Sequence, residues 1–363
     1  MKRDCCVKME KRLDASQKRQ VRLLNIREIA RQAGLSIATI SRVINHPETV
    51  APETRERVLG ILESCNYSPK LAAKPPRKKT GAVVLIVPVL PRYYGILSGI
   101  RQVLQANGYQ LTICETSGFR GGENGAVRAV AAARPDGVIL VRGSEAPPEL
   151  GPLRQAGIPV VLVGKCADAE SENNCSINFQ DAAAKLTAHL IDMKYTRIAL
   201  VQTEADYPEK PQITAGFLQA LAVGGLEAGG CPILETEDSV RGGYIVLKEM
   251  LAEGEALPQA FFAAGDGIAI GIMKAAQEEK LAIPRQLAVA GFTDSEMATV
   301  VCPALTTVEH PYERLGTVAA RRLIDLVENS ELYDIETQEI VLKSKLKIRK
   351  SCGNKKNIYE QFE

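Results

Sequence analysis

Residues 34–46 carry a run of hydroxyl, amide and guanidinium side chains, with the sequence GLSIATISRVINH. Four of these residues can donate hydrogen bonds to phosphate oxygens; they are Ser36, Thr39, Ser41 and Asn45. Arg42 can donate two parallel hydrogen bonds to the O6 and N7 atoms of a guanine. These residue types at this spacing suit recognition of double-stranded DNA.

Catalytic chemistry has little support elsewhere in the chain. Its three histidines are His46, His189 and His310, and His189 lies on an apolar helix face, where a core or interface histidine is the commoner explanation. No Gly-rich phosphate loop, GxSxG elbow or metal-spaced cluster occurs. The cysteines number nine, without a CxxC pair, which favours reduced thiols over a disulfide framework or a zinc site. We expect neither an enzyme nor a cofactor or metal.

The polar run lies within a segment, residues 25–66, that reads as three short helices. Gly34 allows the tight turn after the first helix, and Ser36 is the expected N-cap of the second. Pro47 stops the second helix, and Pro52 suits the first turn of a third, with Ala51 as a weak N-cap. A helix, a glycine turn and a helix rich in Ser, Thr and Arg are what a helix-turn-helix requires, in which the second helix enters the major groove. A small helical bundle without DNA contacts could carry the same residues.

Charge is divided unevenly along the chain. Residues 1–80 hold 18 Lys and Arg against 8 Asp and Glu, whereas the remainder holds 27 against 35. A basic N-terminal region followed by an acidic remainder suggests that the N-terminal region binds a polyanion. A solvated basic tail without a partner would show the same charge pattern. Residues 1–24 read as a mobile basic arm, which a mis-assigned start codon would also produce. They contain no apolar signal segment, and no run is long enough to span a membrane, so we expect a cytoplasmic protein.

Beyond a Pro- and Lys-rich linker at residues 69–80, apolar strands alternate with amphipathic helices. This alternation is typical of doubly wound parallel sheets, and about ten strands favour two lobes with a cleft between them. The predicted fold class is therefore α/β. A helical headpiece (residues 25–68) precedes the linker, a two-lobed body (residues 81–350) follows it, and residues 351–363 form a loose polar tail.

The headpiece resembles the DNA-binding domain of the LacI/GalR, or lactose-repressor, family. The shared skeleton A-x-x-A-G-x-S-x-x-T-x-S-R-V-x-N is carried by Ala30, Ala33, Gly34, Ser36, Thr39, Ser41, Arg42, Val43 and Asn45. It continues through Glu53, Thr54, Arg55, Val58, Tyr67 and Pro69. In the body, GDGIAIGIMKAAQEEKLAIPRQLAVAGFTD is similar to another family segment.

The resemblance implies a sequence-specific transcriptional regulator, expected to be a repressor. It implies a homodimer that binds a DNA operator and a periplasmic-binding-protein-like body with a small-molecule effector in its cleft. The residues that would face bases are Ile37, Ala38 and Arg42. Those that would face phosphates are Asn25, Ser36, Thr39, Ser41 and Asn45. A solute-binding transport component shares the body's fold, but the added headpiece argues against that class.

The cleft departs from the family pattern. Ile213 stands where the family commonly has an Arg, Gly265 replaces an Asn, and no aromatic residue stands near Ser239. Either the effector is not an ordinary hexose or the cleft has lost its ligand. The remaining candidates for the effector site are Arg92, Tyr93, Tyr94, Asn178, Asp266 and Phe292. Asp266 could equally be a helix N-cap, and the tyrosines could serve lobe packing.

The hinge also departs from the family, in which a short helix wedges a leucine into the minor groove. Its residues here are Lys70, Leu71, Ala73, Lys74 and Pro76, with Pro76 at the wedge position. Two consecutive prolines disfavour helical geometry. We therefore expect no full hinge helix. Either Pro76 acts as the wedge, or residues 77–79 contact phosphates instead.

Overall fold

Strands alternating with helices account for most of the structure, a computed structural model that describes residues 34–36, 39, 43, 50–64, 79–144, 146–165, 172–254, 256–329 and 337–353. The chain divides into two compact units. One comprises residues 1–78 with 328–336, and the other comprises residues 79–327 with 337–363. The predicted headpiece, residues 25–68, falls within the first unit.

In the headpiece, helix α1 spans Pro52–Ser64, with its first proline where the sequence placed it. Val58 on this helix is fully buried, and Val43 is nearly so. Gly34 has a φ of +62°, the left-handed conformation that the expected turn requires. The Ser36 hydroxyl accepts a hydrogen bond from the Thr39 backbone N–H at 3.1 Å, which confirms the predicted N-cap.

The first lobe is built from β1 (Ala82–Val87), α2 (Tyr94–Ala106), β2 (Gln110–Glu115), α3 (Gly122–Ala133), β3 (Gly137–Val141), α4 (Gly151–Gln155), β4 (Val160–Val163) and β5 (Asn174–Ile177). Helix α5 (Phe179–Asp192) then leads to the second lobe, which contains β6 (Ile198–Thr203), α6 (Lys210–Val223), β7 (Ile233–Thr236), α7 (Val240–Ala252), β8 (Ala260–Ala263), α8 (Asp266–Glu278), β9 (Ala288–Ala290) and α9 (Met297–Val300). The closing elements are β10 (Thr307–Glu309), α10 (Tyr312–Asn329), β11 (Glu339–Leu342) and β12 (Lys345–Lys347).

Both lobes contain a parallel sheet. The first sheet has the order β11-β5-β4-β3-β1-β2, and the second has the order β7-β6-β8-β9. The central strands β3, β4 and β8 are buried at every residue, because helices cover both faces. The edge strands β2, β7 and β11 are partly exposed. The predicted two-lobed, doubly wound architecture is confirmed.

The chain returns to the first lobe through α10, which packs closely on α2. A Cβ on Gly99 would lie 1.9 Å from the Glu313 carbonyl oxygen, and one on Gly316 would lie 2.0 Å from the Ile96 carbonyl oxygen. Only glycine allows these backbones to approach so closely. Strand β11, which follows α10, completes the first sheet by pairing with β5.

The body extends beyond both of its predicted boundaries. The backbone N–H groups of Thr80 and Gly81 donate to the Asp136 carboxylate, so the fold begins before residue 81. We expected a loose tail from residue 351, but Ser351 and Cys352 are fully buried. The Ser351 hydroxyl donates to the Val289 carbonyl, and this hydrogen bond ties the segment to the second lobe.

Strand order fixes where a ligand site can form. In the first sheet β1 lies between β3 and β2, and in the second sheet β6 lies between β7 and β8. The helices that follow such strands diverge to opposite faces and leave a crevice at the carboxyl ends. A ligand site is therefore expected at the residues just after β1 and β6.

Candidate functional site

The two crevices meet between the lobes in a group of charged and aromatic side chains, which we call the interlobe cluster. Arg92 and Tyr93 belong to the 3-10 turn Leu90–Tyr93 that follows β1. Tyr207 and Glu209 lie in the loop between β6 and α6, Asp238 precedes α7, and Tyr312 begins α10. The cluster is therefore Arg92, Tyr93, Tyr207, Glu209, Asp238 and Tyr312.

Arg92 crosses from the first lobe to the second. Its guanidinium donates to the Asp238 carboxylate at 2.7 Å, between side chains that are 32% and 38% exposed. The guanidinium carbon also lies 3.9 Å from the centre of the Tyr207 ring, a cation–π contact. Burial lowers the pKa of Arg92, whereas the negative charges of Glu209 and Asp238 raise it, and the net shift is upward. The second lobe thus holds a cation between a carboxylate and an aromatic ring.

Two buried polar atoms of the cluster, the Tyr93 Oη and the Glu209 Oε2, have no hydrogen-bond partner among the described residues. Tyr93 is only 5% exposed. Burial raises the pKa of its phenol, and the negative charge of Glu209 raises it further. Burial likewise raises the pKa of Glu209, although the positive charge of Arg92 opposes this effect. Buried polar groups normally find partners, so within the cluster these two atoms are available to a ligand.

Tyr312 extends the cluster from the returning helix. Burial raises the pKa of its phenol, with a further contribution from the Glu209 carboxylate. Its ring contacts the imidazole of His310, with centroids 5.5 Å apart. The cluster contains one cation, Arg92, and two carboxylates, Glu209 and Asp238, so it carries one excess negative charge when both acids are ionised.

Of the six predicted effector residues, the structure brings two, Arg92 and Tyr93, into the cluster. Tyr94 is 67% exposed at the start of α2. Asn178 is the N-cap of α5, where its side-chain oxygen accepts from the Asp181 N–H at 2.9 Å. Phe292 is buried in ring contacts with Phe179, Phe262 and His310.

Asp266, the sixth, is neither the N-cap nor a free acceptor. Gly265 is the N-cap of α8, and Asp266 is the first residue of the helix. The buried Asp266 carboxylate accepts hydrogen bonds from the backbone N–H groups of Phe292, Thr293 and Ser295, and from the Thr307 hydroxyl at 2.6 Å. These four donors occupy the carboxylate, so Asp266 ties β9 and β10 to the helix.

The predicted site residues did not include Tyr207, Glu209, Asp238 and Tyr312. No aromatic residue stands near Ser239 in the sequence, but Tyr207 supplies a ring from the preceding loop. Ser239 itself caps α7 by accepting from the Gly242 N–H. Ile213, where the family commonly has an Arg, is buried in α6. The position of Tyr207 and Glu209 just after β6 was a usable signal, but only once the order of the strands was known.

A second polar concavity lies in the first lobe. It has a volume of about 250 Å³ and is lined by Pro88, Thr116, Gly121, Glu123, Asn124, Gly143, Ser144, Ala146 and Pro147. Behind it, the buried Arg142 donates to the Ser144 carbonyl at 2.9 Å and lies 3.8 Å from the Glu123 carboxylate. The Glu123 carboxylate in turn accepts from the Gly143 N–H. These contacts bind the loop after β3 to α3.

The described residues supply few of the predicted DNA contacts. Ser36 and Thr39 are described, and their hydroxyl oxygens are 2.8 Å apart. The other predicted contacts lie outside the described residues; they are Asn25, Ile37, Ala38, Ser41, Arg42 and Asn45. The hinge residues Lys70, Leu71, Ala73, Lys74 and Pro76 also lie outside them. These assignments stay predictions.

The described histidines have structural partners. The Nε2 of His310 faces the Phe292 carbonyl at 2.7 Å, so this nitrogen carries the proton, and Nδ1 accepts from the Ser344 hydroxyl. Burial lowers the pKa of His310 to about 4. His189 lies 3.2 Å from the buried Cys352 thiol. Among the described residues no group of three His, Cys, Asp or Glu side chains could hold a metal ion, and no described helix is long and apolar enough to span a membrane.

Two family models match the chain. The model described as bacterial regulatory proteins, lacI family, matches residues 25–70. The model described as periplasmic binding protein-like domain matches residues 187–352. The first match contains every predicted DNA-contact residue, and the second contains the whole second lobe and the closing elements.

Individual relatives agree with both matches. Catabolite control protein A of Priestia megaterium is 29% identical over 315 residues, which are 86% of this chain and 94% of that protein. The structure of the transcription regulator GntR from Chromobacterium violaceum is similar with a TM-score of 0.67 and 30% identity, over 75% of this chain and 100% of that one. A complex of the transcriptional regulator CelR with cellobiose has a TM-score of 0.65 and 26% identity, over 90% of this chain and 99% of that one.

Proposed function

The chain belongs to the lacI family of bacterial regulatory proteins, and we propose that the interlobe cluster is the site where a small molecule controls its binding to DNA. It is a DNA-binding transcriptional regulator with a helix-turn-helix headpiece and a periplasmic-binding-protein-like body. The observation that carries the proposal is the position of Arg92. This residue of the first lobe binds Asp238 and Tyr207 of the second, where both strand crevices open.

A ligand at this point can change the relation between the lobes. It either displaces Arg92 from its partners or adds contacts to the buried Tyr93 and Glu209 atoms. A ligand shifts a conformational equilibrium only by its difference in affinity for the two states. A ligand that contacts both sides of the Arg92 bridge therefore has the means to favour one arrangement of the lobes.

For the headpiece, we propose that Ile37, Ala38 and Arg42 read base edges in the major groove. The phosphate contacts in this proposal come from Asn25, Ser36, Thr39, Ser41 and Asn45. The Ser36 cap supports it, because it orients the first turn of the helix that would enter the groove. Two copies of the chain, paired through their bodies, would read a palindrome with half-sites about 34 Å apart.

We further propose a cytoplasmic homodimer that acts as a repressor and has no catalytic activity. The DNA-binding family supports the location, because operators lie in the cytoplasm. The five described cysteines, which are free thiols, agree with it. Structural hydrogen bonds of His310 and Asp266 support a body without catalytic side chains at those positions.

The experiment begins with footprinting of bound genomic DNA to identify an operator. Operator affinity of the full-length chain is then measured with fractions of a low-molecular-weight extract from the source cells. We expect a fraction that changes the affinity for wild type to lose its effect on Tyr93→Phe and to keep it on Tyr109→Phe, a control in the α2–β2 connection. A fraction that acts equally on both variants would place the sensor site elsewhere.

A further inference from the structure

The interlobe cluster has more carboxylates than cations. Arg92 is engaged by Asp238, which leaves Glu209 as the carboxylate without a hydrogen-bonded cation among the described residues. Lys210, the next residue, has its ammonium on Glu235 at 2.7 Å instead. A buried carboxylate is costly unless it is paired, so this position favours an incoming positive charge.

The surroundings of Glu209 suit an organic cation better than an uncharged compound that carries only hydroxyl groups. Three tyrosines, Tyr93, Tyr207 and Tyr312, share the cluster, and aromatic faces attract cations. The structure already contains one example of this chemistry, since the Arg92 guanidinium is held between the Tyr207 ring and the Asp238 carboxylate. The unpartnered Tyr93 hydroxyl, on a side chain 5% exposed, provides a hydrogen-bonding atom whose pKa the Glu209 charge raises.

We infer that the effector is a small organic cation whose ammonium group binds Glu209 and hydrogen-bonds the Tyr93 hydroxyl. This inference rests on the proposed function, because it assigns the effector to the interlobe cluster. It differs from the sugar chemistry of the CelR–cellobiose relative, in that charge rather than hydroxyl pattern determines recognition. Arg92 then acts as an internal substitute that holds the second lobe while the ligand is absent.

The test compares pairs of probes in which an ammonium group replaces a hydroxyl of similar size. Binding to the full-length chain at neutral pH is measured by calorimetry for putrescine against 1,4-butanediol, and for glucosamine against glucose. We expect at least one ammonium probe to bind about 10- to 100-fold more tightly than its neutral partner, as the loss of a charge-assisted hydrogen bond implies. Equal binding within both pairs, tighter binding of a neutral probe, or no binding of any probe would overturn the inference.

Substitutions at two acidic residues test whether the preference for ammonium probes depends on Glu209. Glu209→Gln keeps the shape but removes the charge, and we expect it to abolish the preference for the ammonium probe. Glu204→Gln changes an exposed acid in the same loop and should keep the preference. A preference that survives in Glu209→Gln would overturn the assignment to Glu209. Should that variant fail to fold, the comparison of probe pairs on the wild-type chain still decides the ligand class.

Operator binding is measured separately on each variant without a probe. If the chain shows no specific DNA binding but prefers ammonium probes through Glu209, the proposed function fails and the cation site stands. If an extract fraction changes its operator affinity through Tyr93 but the chain has no such preference, the proposed function stands and the cation site fails. The two outcomes are therefore distinguishable.

Discussion

Replacing Arg92 with methionine removes the cation that joins the lobes and keeps most of the apolar stem. The ion pair with Asp238 joins side chains that are each about one-third exposed, so solvent screening leaves it worth about 0.5 kcal/mol. The contact with the Tyr207 ring at 3.9 Å adds about 1 kcal/mol. The loss of the only cation near Glu209 within the described cluster adds a further cost of about 1 kcal/mol. We expect the free energy of unfolding to fall by about 2 to 3 kcal/mol.

A double-mutant cycle tests this reasoning. In a Glu209→Gln background Arg92→Met leaves no carboxylate without a nearby cation. Arg92→Met should therefore lower the free energy of unfolding by about 1 kcal/mol less there than in wild type. Urea unfolding is followed by far-ultraviolet circular dichroism, because the chain has no tryptophan. Arg101→Met, at an exposed position on α2, is the control and should change stability by less than about 0.5 kcal/mol. Equal costs of Arg92→Met in both backgrounds would refute the coupling between Arg92 and Glu209.

Four other positions give further predictions. Burial lowers the pKa of His310 to about 4 in the folded chain. On acidification its imidazole is therefore protonated in the unfolded chain at a higher pH than in the folded chain. Stability should fall as the pH drops from about 6.5 to about 4, and calorimetry of His310→Gln should show a weaker pH dependence over that range. Asp266→Asn places an amide against four donors and should cost about 3 to 5 kcal/mol in urea unfolding; a loss below about 1 kcal/mol would contradict its role as a tie between elements. Arg42→Ala should relax specificity at one base pair of each half-site, at a cost of about 1 to 3 kcal/mol. Asn45→Ala should instead weaken binding to all sites alike. Both variants are measured on a panel of single-base operator changes, and uniform weakening by both would reject base reading by Arg42.

Local sequence signals predicted much of the architecture. The apolar runs that become β1, β3 and β4 were recognisable because both faces of a central parallel strand are buried. The cap at Ser36 and the turn at Gly34 were recognisable because a few residues determine them. The tail boundary was wrong because Ser351 and Cys352 are small residues whose burial depends on distant β9 and β10.

Only two of the six residues of the interlobe cluster were predicted. Arg92 and Tyr93 follow a strong strand, so they could be proposed from their position in the sequence. Tyr207, Glu209 and Asp238 come from two loops of the other lobe, and only the order β7-β6-β8 brings those loops to one crevice. Asp266 was interpreted from a family pattern, whereas its four donors come from residues 292–295 and Thr307.

Sequence-specific DNA binding by the full-length chain is the most direct test of the account. Genomic fragments retained by the protein are sequenced, and its affinity for the enriched site is compared with that for a scrambled duplex at physiological salt. We predict a palindromic site bound at least about 1,000-fold more tightly than the scrambled duplex. Equal affinity for both duplexes would contradict the assignment of this protein as a sequence-specific regulator.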